Sequence, residues 1–303
     1  MSAREGARAR ARSSSGIAYA MILPTLLLVC VFTLYPYAYA LWSSFRITSP
    51  LLPPAFAGWA NYEAVLTSPY FVGAVRNTLI FTLLSVPLVL IVGVAVASLL
   101  NEKFWGVGLL KATVLLPWAI PAAISGVIWK WVFLDGWGAL NAILYTTGVI
   151  SHYIPWLTTP RLAMLAVIVA QVWTQFPLAA VLTLAAMQAI PEELYEAAAI
   201  DGANRWQRFR RITLPLITPM LVIVVLFETL MSLTTFDLTY SLTGGGPGTS
   251  TTLISYFIWA ESFKMLNFGN GTALAIIIAL FSLLLIFGLL KTIPNDAILE
   301  ERP

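Results

Sequence analysis

Charged residues are scarce in this sequence, and their scarcity limits the class of protein it can encode. Only 10% of the 303 residues are charged and the mean hydropathy is +0.85, whereas soluble domains carry about 25% charged residues. The composition therefore excludes an ordinary soluble domain and indicates an integral membrane protein. The net charge of +3 is small and its basic residues form no single patch, so nucleic acid is not an expected partner.

Cysteine and histidine are almost absent. Cys30 is the only cysteine and His152 the only histidine, which excludes an internal disulfide and a histidine-based metal cluster or proton relay. The ATP-binding pattern G-x-x-x-x-G-K-[ST] does not occur anywhere in the chain. The glycine-rich GGGPG at 244–248 lacks the required lysine, and we interpret it as a turn. We therefore expect no metal and no cofactor in this chain.

Long apolar runs are what the sequence has in abundance. A membrane-spanning helix needs ~20 mostly apolar residues, and alternating ten-residue strands of the barrel type are absent. Because a lipid-exposed backbone must satisfy its own hydrogen bonds, the sequence predicts an all-α, polytopic membrane bundle of six transmembrane helices. The predicted spans are Ile17–Trp42, Thr78–Leu100, Ala112–Trp129, Leu162–Ile190, Ile212–Phe236 and Gly271–Leu290.

The distribution of basic residues predicts the orientation of these spans. With the N-terminus inside, 12 of the 17 Lys and Arg residues fall on the cytoplasmic side and 5 on the outside, as the positive-inside rule requires. Both termini are therefore expected in the cytoplasm. We predict a disordered basic tail at 1–16, a transmembrane domain at 17–291 with a cytoplasmic loop at 191–213, and a cytoplasmic C-terminal tail at 292–303.

Polar residues inside the predicted spans are candidates for a solute pathway, because such residues usually face the bundle interior or a cavity. Three of them share one face of the fifth span at helical spacing, and two glutamines lie one turn apart on the fourth span beside a tryptophan. Amides, hydroxyls, a carboxylate and an aromatic ring suit a polyhydroxylated ligand. The alternative is that these residues only hold helices together. The candidates are Gln171, Trp173, Gln175, Glu228, Ser232 and Thr235.

The cytoplasmic stretch EAAAIDGANRWQRFRRITLP at 196–215 is charged yet helix-prone. Pro191 and the two glutamates after it predict a helix start, Asp201-Gly202 predicts a break, and Asn204 can cap a second helix from Arg205. We therefore expect two short helices joined by a bend. Its arginines could simply rest on lipid headgroups, or the small alanines beside Glu196 could admit a partner protein. The residues alone leave both open.

This stretch resembles the EAA signature of ABC importer permeases. A second block, Leu242–Pro247, resembles the outside loop of carbohydrate-uptake permeases of the maltose and glycerol-3-phosphate type, as does the run at 156–177. The resemblance covers roughly residues 17–291. The matching positions of the signature are Glu196, Ala197, Ala198, Asp201, Gly202, Ala203, Phe209, Ile212, Leu214 and Pro215, and those after the second block are Thr252, Leu253, Tyr256 and Phe263.

The resemblance implies an ABC type I importer permease for a sugar or sugar-like solute, in a prokaryotic cytoplasmic membrane. In that family the EAA loop is a coupling helix that docks into a cytoplasmic ATPase, which binds ATP and Mg. Glu196 would be its anchor and Gly202 would permit its bend, while Trp206 and Phe209 would pack it against the membrane helices. The implied partners are a second permease subunit, two ATPase subunits, an extracytoplasmic solute-binding protein and membrane lipid.

The same resemblance places polar positions of the fourth and fifth spans at the sugar site. The family has asparagines at some positions where this chain has Gln171, Ser232 and Thr235, which leaves the identity of the solute open. Two other readings compete. An ion-driven secondary transporter could use Glu228 as a proton site, although the EAA match argues against it. An intramembrane enzyme would need a metal set or a Ser–Lys dyad, and the spans contain neither at matching depth.

Overall fold

The computed structural model describes residues 21–291, so the predicted tails at 1–16 and 292–303 lie outside the described residues. The fold consists mainly of helices, which confirms the predicted helical membrane class. Within 21–291, five helices are long and apolar enough to cross a membrane, or six if one sharply bent pair counts as a single span. The chain divides into two compact units, one formed by 21–65 and 261–277 and the other by 66–260 and 278–291.

The bounds of the elements follow in chain order. The helices and strands are α1 (Met21–Ser44), β1 (Arg46–Ser49), β2 (Leu52–Phe56), α2 (Ala60–Leu66), α3 (Pro69–Asn101), α4 (Val107–Val114), α5 (Leu116–Ala119), α6 (Ala122–Val132), α7 (Ala139–Thr146), α8 (Pro160–Gln188), α9 (Glu192–Ile200), α10 (Arg205–Thr234), α11 (Asp237–Leu242), α12 (Ile254–Trp259) and α13 (Phe268–Leu290). Short π-helical segments occur at Cys30–Leu34, Phe209–Thr213 and Ala260–Lys264.

The first unit contains a small β-hairpin that the sequence did not predict. Strands β1 and β2 pair antiparallel, with Arg46 opposite Phe56. Asn61 fixes the start of the hairpin, because its Nδ2 donates to the carbonyl oxygens of Ser44 at 2.8 Å and Arg46 at 2.9 Å. Its strands have only four and five residues. Segments this short give no recognisable sequence pattern beside long apolar runs.

The second unit is built on three long helices. Helix α3 packs against α8 and α10, and α10 also packs against α8. Gly93 of α3 allows the close approach, since a Cβ there would lie 2.8 Å from the Cβ of Ala179 on α8, the small-residue contact typical of membrane helices. Apolar clusters around Phe81, Val89 and Ala97 lie along α3.

The third predicted span, Ala112–Trp129, is not one continuous helix. The segments Val107–Ala119 and Ala122–Val132 meet at an angle of 96°. The cause lies in the sequence: Pro121 has no N–H to donate, and Ile120 before it is extended, with φ −82° and ψ 128°, as residues before proline prefer. The run is apolar enough to enter a membrane, so it is the sixth span only if the bent pair counts as one, and the number of six spans stays a prediction.

Candidate functional site

A cavity of about 360 Å³ opens beside the break in the third span. One wall is the broken helix itself, from Pro117 to Ala122. The second wall comes from α8 and the third from the end of α10 and the start of α11. The lining residues of the second and third walls are Gln171, Thr174, Gln175, Met231, Thr234, Thr235, Phe236, Asp237 and Leu238.

The polar groups in the cavity are mostly amides and hydroxyls. The hydroxyl of Thr174 donates to the carbonyl of Gln171 at 2.9 Å, and that of Thr235 donates to the carbonyl of Met231 at 2.8 Å, which leaves their lone pairs free to accept. Among the described residues, the side-chain amides of Gln171 and Gln175 make no hydrogen bond. The cavity can therefore both donate hydrogen bonds to a ligand and accept them from it.

The structure brings three of the six predicted pathway residues to this cavity and leaves three away from it. Ser232 is buried and donates to Thr82 Oγ1 on α3 at 2.9 Å. Glu228, one turn earlier on α10, is only 2% exposed, and its Oε1 has no hydrogen-bond partner among the described residues. Trp173 packs edge-to-face on Trp129 with ring centroids 5.7 Å apart. For these three, a pathway role stays a prediction that this conformation does not display.

Two features of the cavity were missed at the sequence level. The broken helix forms a wall, and the signal was available in the prolines of LPWAIP, Pro117 and Pro121. Asp237 also lines the cavity, and its position directly after the polar stripe of the fifth span could have identified it. Both features belong to the irregular ends of helices, where hydropathy patterns carry little information.

An aromatic cluster adjoins the cavity through Phe236. Its ring lies 5.3 Å from that of Tyr240 and 5.6 Å from that of Trp259, and Tyr256 completes the group at 5.5 Å from Trp259. Tyr240 is 48% exposed, so the cluster presents an aromatic ring as well as packing the end of α10. Aromatic rings can cover the apolar face of a sugar, and Phe236 places this surface next to the amides and hydroxyls.

The loop after α11 is an ordered turn, as the sequence predicted. Thr251 Oγ1 donates to the carbonyl of Gly246 at 2.8 Å, and Thr252 Oγ1 to that of Gly245 at 3.1 Å. Asn77 of α3 ties the loop down by donating to the carbonyls of Thr249 at 2.8 Å and Thr252 at 3.1 Å. Gly245 and Gly246 thus provide the carbonyl oxygens that close this turn.

The stretch at 191–213 forms the two helices and the bend that its sequence predicts. Helix α9 ends in a Schellman motif, in which the N–H of Gly202 bonds the carbonyl of Ala199 at 3.0 Å and that of Ala203 bonds Ala198 at 2.9 Å. This ending requires a left-handed residue, and Gly202 has φ +78°. Asn204 then starts α10 through a capping box with Gln207.

The bend is attached to the membrane helices on one side only. Phe209 packs against the apolar cluster of Ala97 and Ile217, and Trp206 stacks on Phe209 with ring centroids 5.7 Å apart. The hydroxyl of Tyr195 lies 2.9 Å from that of Thr213. Trp206 itself is 67% exposed. Phe209 therefore makes the predicted contact with the membrane helices, and Trp206 only stacks on the Phe209 ring.

Two ion pairs connect the bend to the end of α3, but they add little stability. They join Lys103 to Glu192 at 3.7 Å and Arg205 to Glu102 at 3.9 Å. All four side chains are largely exposed, and such pairs contribute about 0–1 kcal/mol. The bend is therefore held mainly by its backbone hydrogen bonds, by Phe209 and by the hydrogen bond between Tyr195 and Thr213.

The outer side of the bend carries the residues singled out from the sequence. Ala198 and Ala203 are half-buried, and the other members of the set are exposed: Glu196, Ala197, Asp201 and Gly202. Ile200 is an apolar side chain that is 87% exposed. A shallow hollow of about 350 Å³ lies beside Gly202 and Arg211. The bend therefore exposes small side chains, a carboxylate and an isoleucine on an ordered backbone, and its role in docking a partner stays a prediction.

Comparisons with known proteins cover most of the chain. Residues 77–298 match the family described as binding-protein-dependent transport system inner membrane component. The trehalose/maltose transport system permease protein MalF of Thermococcus litoralis is 41% identical over 262 residues, covering 86% of this chain and 88% of that protein. The sulfoquinovosyl glycerol transport system permease protein SmoG of Agrobacterium fabrum is 36% identical over 270 residues, covering 88% and 87%.

A solved structure shares the fold. A chain of a bacterial ABC transporter involved in the import of the acidic polysaccharide alginate superposes with a TM-score of 0.82, covering 97% of this chain and 99% of that chain. The two sequences are 24% identical, so this likeness concerns the fold alone.

Proposed function

Because the chain belongs to the binding-protein-dependent transport system inner membrane component family, we propose that it is one permease subunit of an ATP-driven ABC importer for a sugar. It is a multi-pass membrane protein, and in this proposal it lies in a prokaryotic cytoplasmic membrane with six spans and both termini inside. It forms half of an alternating-access pathway. The observation that carries the proposal is the exposed, ordered bend at 196–203 on the same chain as a polar intramembrane cavity.

The energy source in this proposal is a partner. The sequence has no phosphate-binding lysine motif of the G-x-x-x-x-G-K-[ST] type. Two ATPase subunits therefore supply ATP and Mg binding, and one of them grips the bend. Glu196 offers a carboxylate for an arginine of the partner, the alanines allow close approach, and Gly202 sets the angle. Closure of the ATPase pair then moves α10, which begins four residues after Asp201.

The solute in this proposal is polyhydroxylated and lies in the cavity between α5, α8 and α10. Gln171 and Gln175 supply amides that can donate to and accept from sugar hydroxyls, and Phe236 supplies an adjoining ring. Trehalose and maltose are the first solutes to test, because one relative is named for both. A solute-binding protein delivers the sugar from outside, and a second permease subunit supplies the other half of the pathway.

The test is uptake into proteoliposomes that contain the complete transporter. We expect uptake of labelled trehalose or maltose only when binding protein is outside and ATP is available to the ATPase, with no response to a proton ionophore. Uptake driven by a pH gradient without ATP would contradict the proposal and favour an ion-driven carrier. No observation favours that second candidate, since Glu228 lies away from the cavity in this conformation.

A further inference from the structure

Among the described residues, a single ionisable side chain lines the cavity. Of its 15 lining residues, only Asp237 carries a charge. It is the first residue of α11 and is exposed. Its backbone carbonyl accepts a hydrogen bond from Ser241 Oγ at 2.7 Å, whereas its carboxylate makes no hydrogen bond or ion pair within the described part of the chain. An exposed carboxylate with no such partner therefore belongs to a residue that lines the space a solute would occupy.

No lining group offsets this charge. The other polar side chains of the lining residues are the neutral amides of Gln171 and Gln175, the hydroxyls of three threonines and the indole N–H of Trp118. Amides and hydroxyls can turn a donor or an acceptor towards a neutral sugar, but they give no net positive charge to an anion. Two like charges about 6 Å apart at a partly hydrated site repel strongly enough to change a binding constant by roughly tenfold.

We propose that Asp237 sets the charge selectivity of the pathway, so that the cavity accepts neutral or cationic polyhydroxylated solutes and excludes acidic ones. This inference rests on the proposed function, because it assumes that the solute enters this cavity. A different role would be purely structural: an acidic residue in the first turn of α11 stabilises that helix by interacting with its dipole. The two roles predict different results when the charge is removed without a change of shape.

The test is equilibrium binding of sugars to the purified complex of permease and ATPase subunits. The binding protein is left out, so that any preference among the sugars comes from the membrane site. Three probes of the same size are compared: trehalose, trehalose with one hydroxymethyl group oxidised to a carboxylate, and 6-amino-6-deoxytrehalose. The wild type should bind the acid roughly tenfold more weakly than trehalose and the amine at least as tightly as trehalose. Asp237→Asn should bring the three dissociation constants close together.

The matched control is Asp237→Glu, which keeps the charge and should keep the discrimination. Raising the salt concentration should shrink the acid-to-neutral ratio of the wild type and leave that of Asp237→Asn unchanged, because salt screens only the charged site. Equal ratios in the wild type and Asp237→Asn would overturn the inference, and a lowered melting temperature with unchanged ratios would assign Asp237 to helix stability alone. If none of the three probes binds while trehalose is still taken up with ATP and binding protein, the solute does not use this cavity and the inference fails; absence of that uptake would contradict the proposed function itself.

Discussion

Replacing Gly202 tests whether the bend at 196–203 transmits force. Gly202 has φ +78° and an added Cβ would meet no atom within 4 Å, so a side chain there is opposed only by the backbone conformation. For an ordinary L-residue that conformation costs about 1–2 kcal/mol. Gly202→Ala should therefore weaken docking of the ATPase by roughly five- to thirtyfold, since 1.4 kcal/mol corresponds to a factor of ten.

Proline should act much more strongly than alanine at this position. It fixes φ near −65°, and it removes the N–H that Gly202 donates to Ala199 at 3.0 Å. Asparagine tolerates the left-handed region and should stay near wild type. We therefore expect solute-stimulated ATP hydrolysis to fall in the order Gly, Asn, Ala, Pro, with loss of ATPase co-elution in the proline variant.

The control for this series is Gly108→Ala. Gly108 lies inside α4, its φ is not positive, and an added Cβ there also meets nothing within 4 Å. Alanine should be neutral or slightly stabilising at that site. Full stimulated ATPase activity in Gly202→Pro, or equal losses at both glycines, would refute the reasoning.

Three further predictions concern the pathway and the topology. Glu228→Leu should raise the melting temperature, because it removes a buried unpartnered oxygen whose burial costs about 1–3 kcal/mol; loss of uptake per folded molecule would instead return Glu228 to the pathway. Gln175→Leu should weaken sugar binding by roughly two- to tenfold with an unchanged melting temperature, because loss of a hydrogen bond to a neutral ligand costs about 0.5–1.5 kcal/mol. Unaltered affinity would show that the Gln175 amide does not contact the sugar. In a Cys30→Ala background, Asp201→Cys should react with an impermeant thiol reagent only from the cytoplasmic side and Thr249→Cys only from outside, and the reverse pattern would overturn the topology.

The features that local sequence specified well are those with short-range causes. The end of α9 at Asp201-Gly202 and the cap at Asn204 follow from backbone conformation and from one side-chain hydrogen bond, both of which are readable from neighbouring residues. The same holds for the GGGPG turn. The roles of these residues in coupling stay a prediction, because docking depends on a partner surface.

The features that the sequence specified poorly depend on where helices break and which face they turn inward. The apolar run around Pro121 satisfies a hydropathy criterion whether it is straight or bent by 96°. On α10 the cavity face is formed by Met231, Thr234 and Thr235, at spacings of three and four residues. Ser232 lies about 100° around the helix from Met231, so it faces α3. The predicted polar stripe of the fifth span therefore covers two adjacent faces of the helix. Only the packing of α3 against α10 determines that Thr235 lines the cavity while Ser232 does not.

The hairpin of the first unit was missed for a different reason. Its strands have four and five residues, and they are positioned by the amide of Asn61 more than by any alternation of apolar residues. A single buried asparagine gives no recognisable pattern in a sequence.

Photo-crosslinking from the bend tests the central claim most directly. Ile200 is 87% exposed at the end of α9, and in the proposed importer this side chain lies against the ATPase. A benzophenone amino acid at Ile200 in the reconstituted complete transporter should crosslink to the ATPase subunit, and the yield should change when ATP is added. The same probe at Thr249, in the outside loop, should give no ATPase adduct. Absence of the adduct from Ile200, with intact ATP-dependent uptake, would contradict coupling through this bend.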